Sequence, residues 1–181
     1  METEMLKIGD RAPGFRNLPG TDGKRYSLDA FKDAKVLVVV FSCNHCPYVQ
    51  AYEDRMIAFQ RDFGGEGVAF VAINSNETEH YTEDNFHEMV RRAKTKGFPF
   101  PYLRDEDQSV ATTYGATHTP EFFVFDEQRK LRYHGKFDDN WQDPSQVKEN
   151  YVRAAVEALL AEKEVTAPET YSIGCTIKWK I

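Results

Sequence analysis

Two cysteines separated by two residues, Cys43 and Cys46, are the side chains of this sequence best suited to covalent chemistry. They follow the apolar run Val36–Phe41 and precede a segment with helical periodicity. If the helix begins near His45 or Cys46, its unpaired backbone N–H groups and positive dipole end favour a thiolate at Cys43. A thiolate is the attacking species in thiol–disulfide exchange. The spacing therefore predicts dithiol redox chemistry, in which Cys43 attacks and Cys46 resolves the mixed disulfide.

Three other interpretations of the cysteine pair are weaker. Structural zinc needs four ligands, and only His45 and the distant Cys175 are available to complete a set. A structural disulfide is poorly supported because the chain has three cysteines in 181 residues, a length that needs no covalent staples. An inert pair of buried thiols is the plainest alternative. We therefore expect neither a metal nor a cofactor at the motif.

Composition and charge exclude several other classes of function. The net charge is −6 and the basic residues are scattered, so we expect neither nucleic acid nor an anionic membrane as a partner. The first residues include Glu2 and Glu4 without an apolar stretch of signal-peptide length, and no later segment reaches membrane-spanning length. These features predict a cytoplasmic protein. In that compartment thiols are kept reduced, so a paired motif is more often catalytic than structural.

Hydrophobic patterning predicts alternating strands and helices. The run Val36–Phe41 has no polar alternation, as expected of a strand buried on both faces of a largely parallel sheet. The helix after the cysteines should end at Gly64, and Thr82 is a candidate cap for the next helix. Further along, the pattern predicts a strand at 68–73, a strand at 102–104, a short helix near 108–114, a hairpin of 122–125 with 131–133, and a last helix opened by Asp143 and Pro144.

Several separated segments carry a family resemblance. The segment Gly9–Phe15, followed by Asp22-Gly23-Lys24, is similar to an N-terminal hairpin extension, and Thr119-Pro120 before a Phe-rich run resembles a cis-proline loop. With the cysteine motif, these segments resemble the thioredoxin-fold oxidoreductases of the AhpC/TSA (TlpA-like) branch. The resemblance implies an α/β fold, a thioredoxin-like three-layer sandwich with a mixed central sheet, helices on both faces and an N-terminal β-hairpin extension. It implies one domain over 1–181, with the extension at 1–34 and a tail at 165–181.

The same resemblance implies a substrate site beside the cysteines. Pro120 is expected to be cis and to face the pair, where the backbone of Thr119 would bond an extended partner peptide as an added strand. The implied partner is a protein or small-molecule disulfide or thiol, with an external reductant such as thioredoxin or glutathione.

Two side chains are candidates for tuning the redox chemistry. His45, if protonated near the thiolate or bonded to it, would stabilise the reduced form and raise the reduction potential above the roughly −270 mV of thioredoxin. Thioredoxins carry a buried acid six residues before the first cysteine, where this chain has Leu37. Glu121, after the expected cis-proline, is our candidate to replace that acid, since its carboxylate would reach the Cys46 side with a raised pKa. An exposed glutamate at the start of a strand is the alternative.

The third cysteine lies in the tail, which resembles a C-terminal signature shared by a subgroup of these proteins. Alternating Ile173, Cys175, Ile177 and Trp179 have the same parity, so the tail is predicted to form an edge strand with Cys175 on its covered face. Cys175 is then either a packed, inert thiol or, if the tail crosses the active site, an accessory resolving thiol.

Two further functions compete with disulfide exchange. In peroxiredoxins the peroxide-attacking cysteine is often followed by proline, as in Cys46-Pro47, and that makes a thiol peroxidase with a peroxidatic Cys46 the main alternative. The activating arginine of that family is expected near the strand beginning Pro120-Glu121, and none stands there, although Arg104 on a neighbouring loop is a possible substitute. A non-catalytic thioredoxin-like binding module is the second alternative, but it would not need two cysteines.

Overall fold

The central strand of the sheet is the apolar run before the cysteines. A computed structural model describes residues 5–181, and in it strand β3 (Val36–Phe41) is fully buried. Alternate side chains enter two cores: Val36, Val38 and Val40 on one face, Leu37, Val39 and Phe41 on the other. Each fully buried aliphatic side chain contributes about 1.5–3 kcal/mol. This explains why the run shows no polar alternation.

Strand β3 lies in the middle of a five-stranded sheet, and two further pairs of strands lie outside that sheet. The remaining strands are β1 (Leu18–Pro19), β2 (Arg25–Tyr26), β4 (Val68–Asn74), β5 (Tyr102–Arg104), β6 (His118–Thr119), β7 (Glu121–Phe125), β8 (Leu131–Gly135) and β9 (Cys175–Thr176). The main sheet has the order β5-β4-β3-β7-β8, in which β3, β4 and β5 are parallel while β7 and β8 are antiparallel to their neighbours. Strands β1 and β2 pair in the N-terminal region, and β6 pairs with β9.

Helices cover both faces of the sheet. Their bounds are α1 (Pro47–Phe63), α2 (Phe86–Lys96), α3 (Ser109–Tyr114) and α4 (Tyr151–Leu160). Helices α1, α2 and α4 pack on the face that contains Val38 and both motif cysteines, and α3 packs on the opposite face with Phe15 and Phe31. The mixed sheet between helix layers confirms the predicted thioredoxin-like α/β fold.

Two predicted helix starts are corrected by the structure. Asn85, not Thr82, caps α2 by accepting the backbone N–H of Glu88, while Thr82–Asp84 forms a separate 3-10 turn. Asp143 and Pro144 open only a 3-10 turn, because the Asp143 carboxylate accepts the N–H of Ser145. Helix α4 then begins at Tyr151.

Within the described range, no helix is both long and apolar enough to cross a membrane.

Candidate active site

The loop that carries Cys43 is fixed by the residue next to it, Asn44. The N–H of Ser42 donates to the carbonyl of Ile73 at 2.8 Å, which extends the β3–β4 pairing to the edge of the motif. The Asn44 backbone N–H donates to the Asp84 carboxylate at 2.6 Å, and its side-chain carbonyl accepts the Tyr102 hydroxyl at 2.8 Å. Asn44 is buried, its side-chain amide donates to the carbonyl of Glu83 at 2.9 Å, and its backbone carbonyl accepts the side chain of Gln50 at 3.0 Å, so all its polar atoms have partners and the loop is held in one conformation.

Asp84 is a buried acid that our sequence analysis missed. Its carboxylate also accepts the side-chain amides of Asn74 and Asn76, each at 3.1 Å. Asp84 comes from the 3-10 turn before α2, about forty residues from the motif in sequence, and nothing in its local sequence pattern points to the cysteines. Leu37, at the position of the acid expected in thioredoxins, lies in the apolar core on the other face of the sheet. The buried carboxylate next to the motif is therefore supplied by a different element.

Cys46 lies at the N-terminus of helix α1. The helix begins at Pro47, so Cys46 is its N-cap, and the prediction that the helix end favours Cys43 is wrong. Proline at the first helical position was the signal available in the sequence, because Pro is over-represented there and lacks an N–H that would need a partner. The positive end of the helix dipole is therefore directed at Cys46.

The two motif thiols differ in acidity. Hydrogen bonding from Cys43 is the largest cause that lowers the Cys46 pKa, to about 4, with help from the Cys175 thiol and the backbone N–H of Val49, against the opposing effect of burial. The same Cys46 contact, burial and the negative charge of Asp84 raise the Cys43 pKa well above its usual value. These contacts favour the thiolate at Cys46 over the thiolate at Cys43, which reverses the expected order of acidity.

The predicted cis-proline loop lies against both sulfurs. The Thr119–Pro120 peptide bond is cis, as expected. The Cys46 sulfur is 3.5 Å from the Thr119 carbonyl oxygen, and the Cys43 sulfur is 3.5 Å from the Thr119 hydroxyl. Thr119 is 2% exposed. The structure therefore brings Cys43, Cys46, Thr119 and Pro120 together.

Glu121 does not reach the cysteines. Its carboxylate accepts the backbone N–H groups of Thr117 and His118, each at 3.0 Å, and lies 2.6 Å from Nε2 of His134. The expectation that Glu121 extends to the Cys46 side is wrong, because its carboxylate is held by the backbone of Thr117 and His118 and by the His134 imidazole. The alternative of an exposed glutamate is also wrong, since Glu121 is 2% exposed.

His45 lies at the exposed edge of the motif. None of the described hydrogen bonds of Cys43 and Cys46 goes to its imidazole; they go to Thr119 and to other thiols. The hydrogen-bonded form of the predicted tuning is therefore not observed. Tuning by a protonated His45 through its charge stays a prediction.

The tail brings Cys175 into the site. Strand β9 pairs with β6, and the sulfur atoms of Cys175 and Cys46 lie 2.9 Å apart. Burial and the Cys46 contact raise the Cys175 pKa to about 11. The tail thus crosses the motif and places a third thiol against Cys46. Over residues 5–181, no group of three or more His, Cys, Asp or Glu side chains is arranged to hold a metal ion.

One family model and several solved structures are similar to this chain. The model of the Redoxin family matches residues 7–151. Two solved structures are each 41% identical: a hypothetical protein from Sinorhizobium meliloti 1021 (98% of this chain, 97% of that chain, TM-score 0.90) and an uncharacterized conserved protein from Geobacillus kaustophilus (99% and 96%, TM-score 0.92). A thiol:disulfide interchange protein from Chlorobium tepidum TLS is 21% identical (84% and 98%, TM-score 0.65) and shares the fold. No curated protein matches the chain.

Proposed function

Because the chain belongs to the Redoxin family, we propose that it is a thiol–disulfide oxidoreductase with Cys46 as nucleophile and Cys43 as resolving thiol. One observation carries the proposal: Cys46 caps helix α1, and its sulfur lies 2.9 Å from the Cys175 sulfur and 3.5 Å from the carbonyl oxygen of Thr119, the residue whose hydroxyl contacts Cys43. A thiolate held beside a second thiol is what disulfide exchange requires. The redox class follows from the family, and the assignment of roles is our proposal.

Disulfide reduction proceeds in two steps at this site. The Cys46 thiolate attacks one sulfur of a client disulfide, which forms a Cys46–client disulfide and releases the other client sulfur as a thiolate. Cys43 then attacks the Cys46 sulfur, the Cys43–Cys46 disulfide forms, and the Cys43 proton ends on the departing client sulfur. The contribution of Cys46 to the raised Cys43 pKa ends once Cys46 is in a disulfide, whereas burial and the charge of Asp84 still raise it.

The substrates we propose are thiols and disulfides, either peptides or small molecules. The basis is the cis-proline loop, whose Thr119 carbonyl lies beside the nucleophile. Thioredoxin or glutathione would act as the external reductant, and we propose the cytoplasm as the location.

A trapping experiment tests the roles of the two motif cysteines. Since Cys175 lies against Cys46, the trapping variant is Cys43→Ser with Cys175→Ser, which leaves Cys46 as the only thiol. Each variant is reduced, freed of reductant and mixed with insulin as the disulfide client; the trapping variant should accumulate a mixed disulfide, whereas the matched Cys46→Ser, Cys175→Ser variant should not. Accumulation on Cys43 alone would reverse the assignment. If neither variant traps a client and the wild type fails to reduce insulin, the proposed function is wrong.

Peroxide reduction is a second candidate, favoured by the position of Cys46 directly before Pro47 at the start of a helix. None of the arginines or lysines of the described chain hydrogen bonds to Cys46, and Arg104 is engaged by Glu106 and by the carbonyl of Asn74. A site without such a cation has less means to polarise the O–O bond. We therefore expect insulin reduction to exceed hydrogen peroxide consumption. Peroxide consumption that survives in Cys43→Ser and exceeds insulin reduction would favour the peroxidase.

A binding module without catalysis makes a different prediction. If the protein were only a binding module, replacing both motif cysteines by serine would leave client binding intact. The wild type would then show no turnover either. Insulin reduction by the wild type that disappears in the double variant excludes this alternative.

A further inference from the structure

The edge of β6 that would receive a client strand is occupied by the protein's own tail. In the antiparallel β6–β9 pair, Thr119 is opposite Cys175, and the N–H of Ile177 donates to the carbonyl of Thr117 at 2.8 Å. At Gly174 the backbone approaches so closely that a Cβ atom would lie 2.0 Å from the Thr119 carbonyl oxygen. Glycine is therefore required where the tail meets the cis-proline loop. The tail has the position and direction of an added strand.

The tail is anchored on both sides of Cys175. Upstream, the N–H of Thr170 donates to the carbonyl of His134 at 3.0 Å. Downstream, Ile177 is buried, the N–H of Lys178 donates to the side chain of Asn76 at 2.9 Å, and the carbonyl of Lys178 accepts the N–H of Glu77 at 2.8 Å. Anchors on both sides hold the intervening thiol near its partner, which raises its effective concentration there.

Cys175 differs from the motif cysteines in its access to solvent. Cys43 is 3% exposed and Cys46 is 1% exposed, whereas Cys175 is half-buried. The Cys46–Cys175 sulfur distance of 2.9 Å exceeds a disulfide bond by about 0.9 Å. Cys175 is thus the most accessible of the three thiols and is already in contact with the nucleophile.

We propose that Cys175 is a third catalytic thiol, which exchanges with the Cys43–Cys46 disulfide to form a Cys46–Cys175 disulfide and so presents the oxidised site to external thiols. The inference rests on the proposed function and adds to it the route by which the buried pair communicates with a partner. The partner that this site accepts is a thiol or disulfide able to reach the tail rather than one that enters beneath it.

The internal step changes no oxidation level. Cys175 attacks the Cys46 sulfur, the Cys46–Cys175 bond forms, the Cys43–Cys46 bond breaks, and the Cys175 proton ends on Cys43. An external thiol then attacks Cys175, and Cys46 leaves as a thiolate, a good leaving group because of its low pKa. A second external thiol releases the external disulfide and restores Cys175. Two external thiols are oxidised to one disulfide, and the Cys43–Cys46 disulfide is reduced to two thiols.

Peptide mapping distinguishes the two disulfides. Trypsin places Cys43 and Cys46 together in Val36–Arg55 and places Cys175 in Glu164–Lys178, so a Cys46–Cys175 disulfide joins two peptides whereas a Cys43–Cys46 disulfide does not. Wild type and Cys43→Ser are equilibrated with oxidised and reduced glutathione, alkylated, digested and analysed by mass spectrometry. We expect linked peptides in both, as the main oxidised product in Cys43→Ser.

The matched control moves the thiol by one residue. Thr176 is exposed and, as the next residue of β9, its side chain points to the opposite side from Cys175. In the Cys43→Ser background, replacing Cys175 by Ser and Thr176 by Cys should lower the yield of linked peptides at least about tenfold, because the thiol no longer meets Cys46. Equal yields of linked peptides from a cysteine at position 175 and from one at position 176 would overturn the proposal, because they would show that a loosely held tail reaches Cys46 by random encounter.

Failure of the inference is separable from failure of the proposed function. If wild type forms the Cys43–Cys46 disulfide but no linked peptides, and Cys43→Ser yields only glutathione on Cys46, then Cys175 is not catalytic and the oxidoreductase stands. With insulin as the disulfide and glutathione as the external thiol, Cys175→Ser should turn over at least about tenfold more slowly than wild type while still forming the Cys43–Cys46 disulfide. Turnover equal to that of wild type would also overturn the inference.

Discussion

The carboxylate of Asp84 accepts the backbone N–H of Asn44, the residue next to Cys43, at 2.6 Å. Through this bond a turn that precedes α2 determines the conformation of the cysteine loop. The same carboxylate accepts the side-chain amide of Asn76, whose carbonyl oxygen accepts the N–H of Lys178 in the tail. One buried network therefore positions both the motif and the segment that carries Cys175.

Replacing Asp84 by Asn should destabilise the protein by about 1–3 kcal/mol, because an amide group would face the donor of Asn76 and leave a buried donor without a partner. Loss of the negative charge should also lower the Cys43 pKa. Urea unfolding and the ultraviolet titration of thiolate absorbance measure the two effects, with Glu79→Gln as an exposed control. Unchanged values for both would show that the network does not constrain the motif.

Protonation of Cys46 should make the stability of the reduced protein depend on pH. The folded state lowers the pKa from 9.0 to about 4, so between these values the unfolded state binds more protons and stability from this group rises with pH. The contribution is fully present above about pH 9 and is lost as the pH falls through about 4. The free energy of unfolding of wild type minus that of Cys46→Ser, measured in urea under reducing conditions, should therefore increase as the pH rises from about 4 to about 9. A difference that does not vary with pH would contradict the assignment of the thiolate.

The stabilised thiolate should raise the reduction potential. Whatever stabilises the reduced form makes the disulfide a stronger oxidant, so we expect the Cys43–Cys46 pair to lie above the roughly −270 mV of thioredoxin. Equilibration with glutathione measures the potential. Cys175→Ser removes one thiol that lowers the Cys46 pKa and should shift the potential downwards. A wild-type value at or below that of thioredoxin would count against this account.

Gly174→Ala should detach the tail from β6 without unfolding the domain, because the added Cβ atom would meet backbone atoms of Thr119. Hydrogen exchange at the amide of Ile177, which donates to Thr117, should accelerate at least about tenfold. Gly14→Ala is the matched control, since a Cβ atom there meets nothing within 4 Å. Exchange rates that are the same in both variants would show that the tail tolerates a side chain at this contact.

Glu121→Ala should cost about 3 kcal/mol of stability. The substitution leaves the N–H groups of Thr117 and His118 without their acceptor and removes the partner of the His134 imidazole. Glu127→Ala, at an exposed position of the β7–β8 turn, serves as the control in urea unfolding. A loss no larger than that of the control would mean that the buried pair contributes little.

The strands and helices of the fold are predictable from the sequence because strands buried on both faces consist almost entirely of apolar residues. Val36–Phe41 and the hairpin after the cis-proline were assigned correctly from apolar runs alone. Helix α1 begins at Pro47 rather than at His45 or Cys46, and the pKa of Cys46 is lowered by contacts with other thiols, which the spacing of the motif does not reveal. A shift of one residue in the start of α1 changes which cysteine the helix N-terminus faces.

The parts that sequence reasoning missed depend on contacts between distant segments. Nothing local to Asp84 or Glu121 indicates that the first reaches the cysteine loop and that the second pairs with His134. The parity of the tail correctly predicted that Ile177 is covered, but Ile173 and Trp179, which have the same parity, are each 41% exposed. Apolar residues at alternating positions indicate a buried face of a strand only where a neighbouring element covers that face.

The β6–β9 pairing makes the tail an intramolecular ligand of the β6 edge beside Cys46. Under the proposed function, a client peptide that seeks the same backbone positions competes with a segment that never diffuses away, so its apparent affinity scales with the fraction of molecules in which that edge is free. A weaker contact between β6 and β9 would then widen the range of clients.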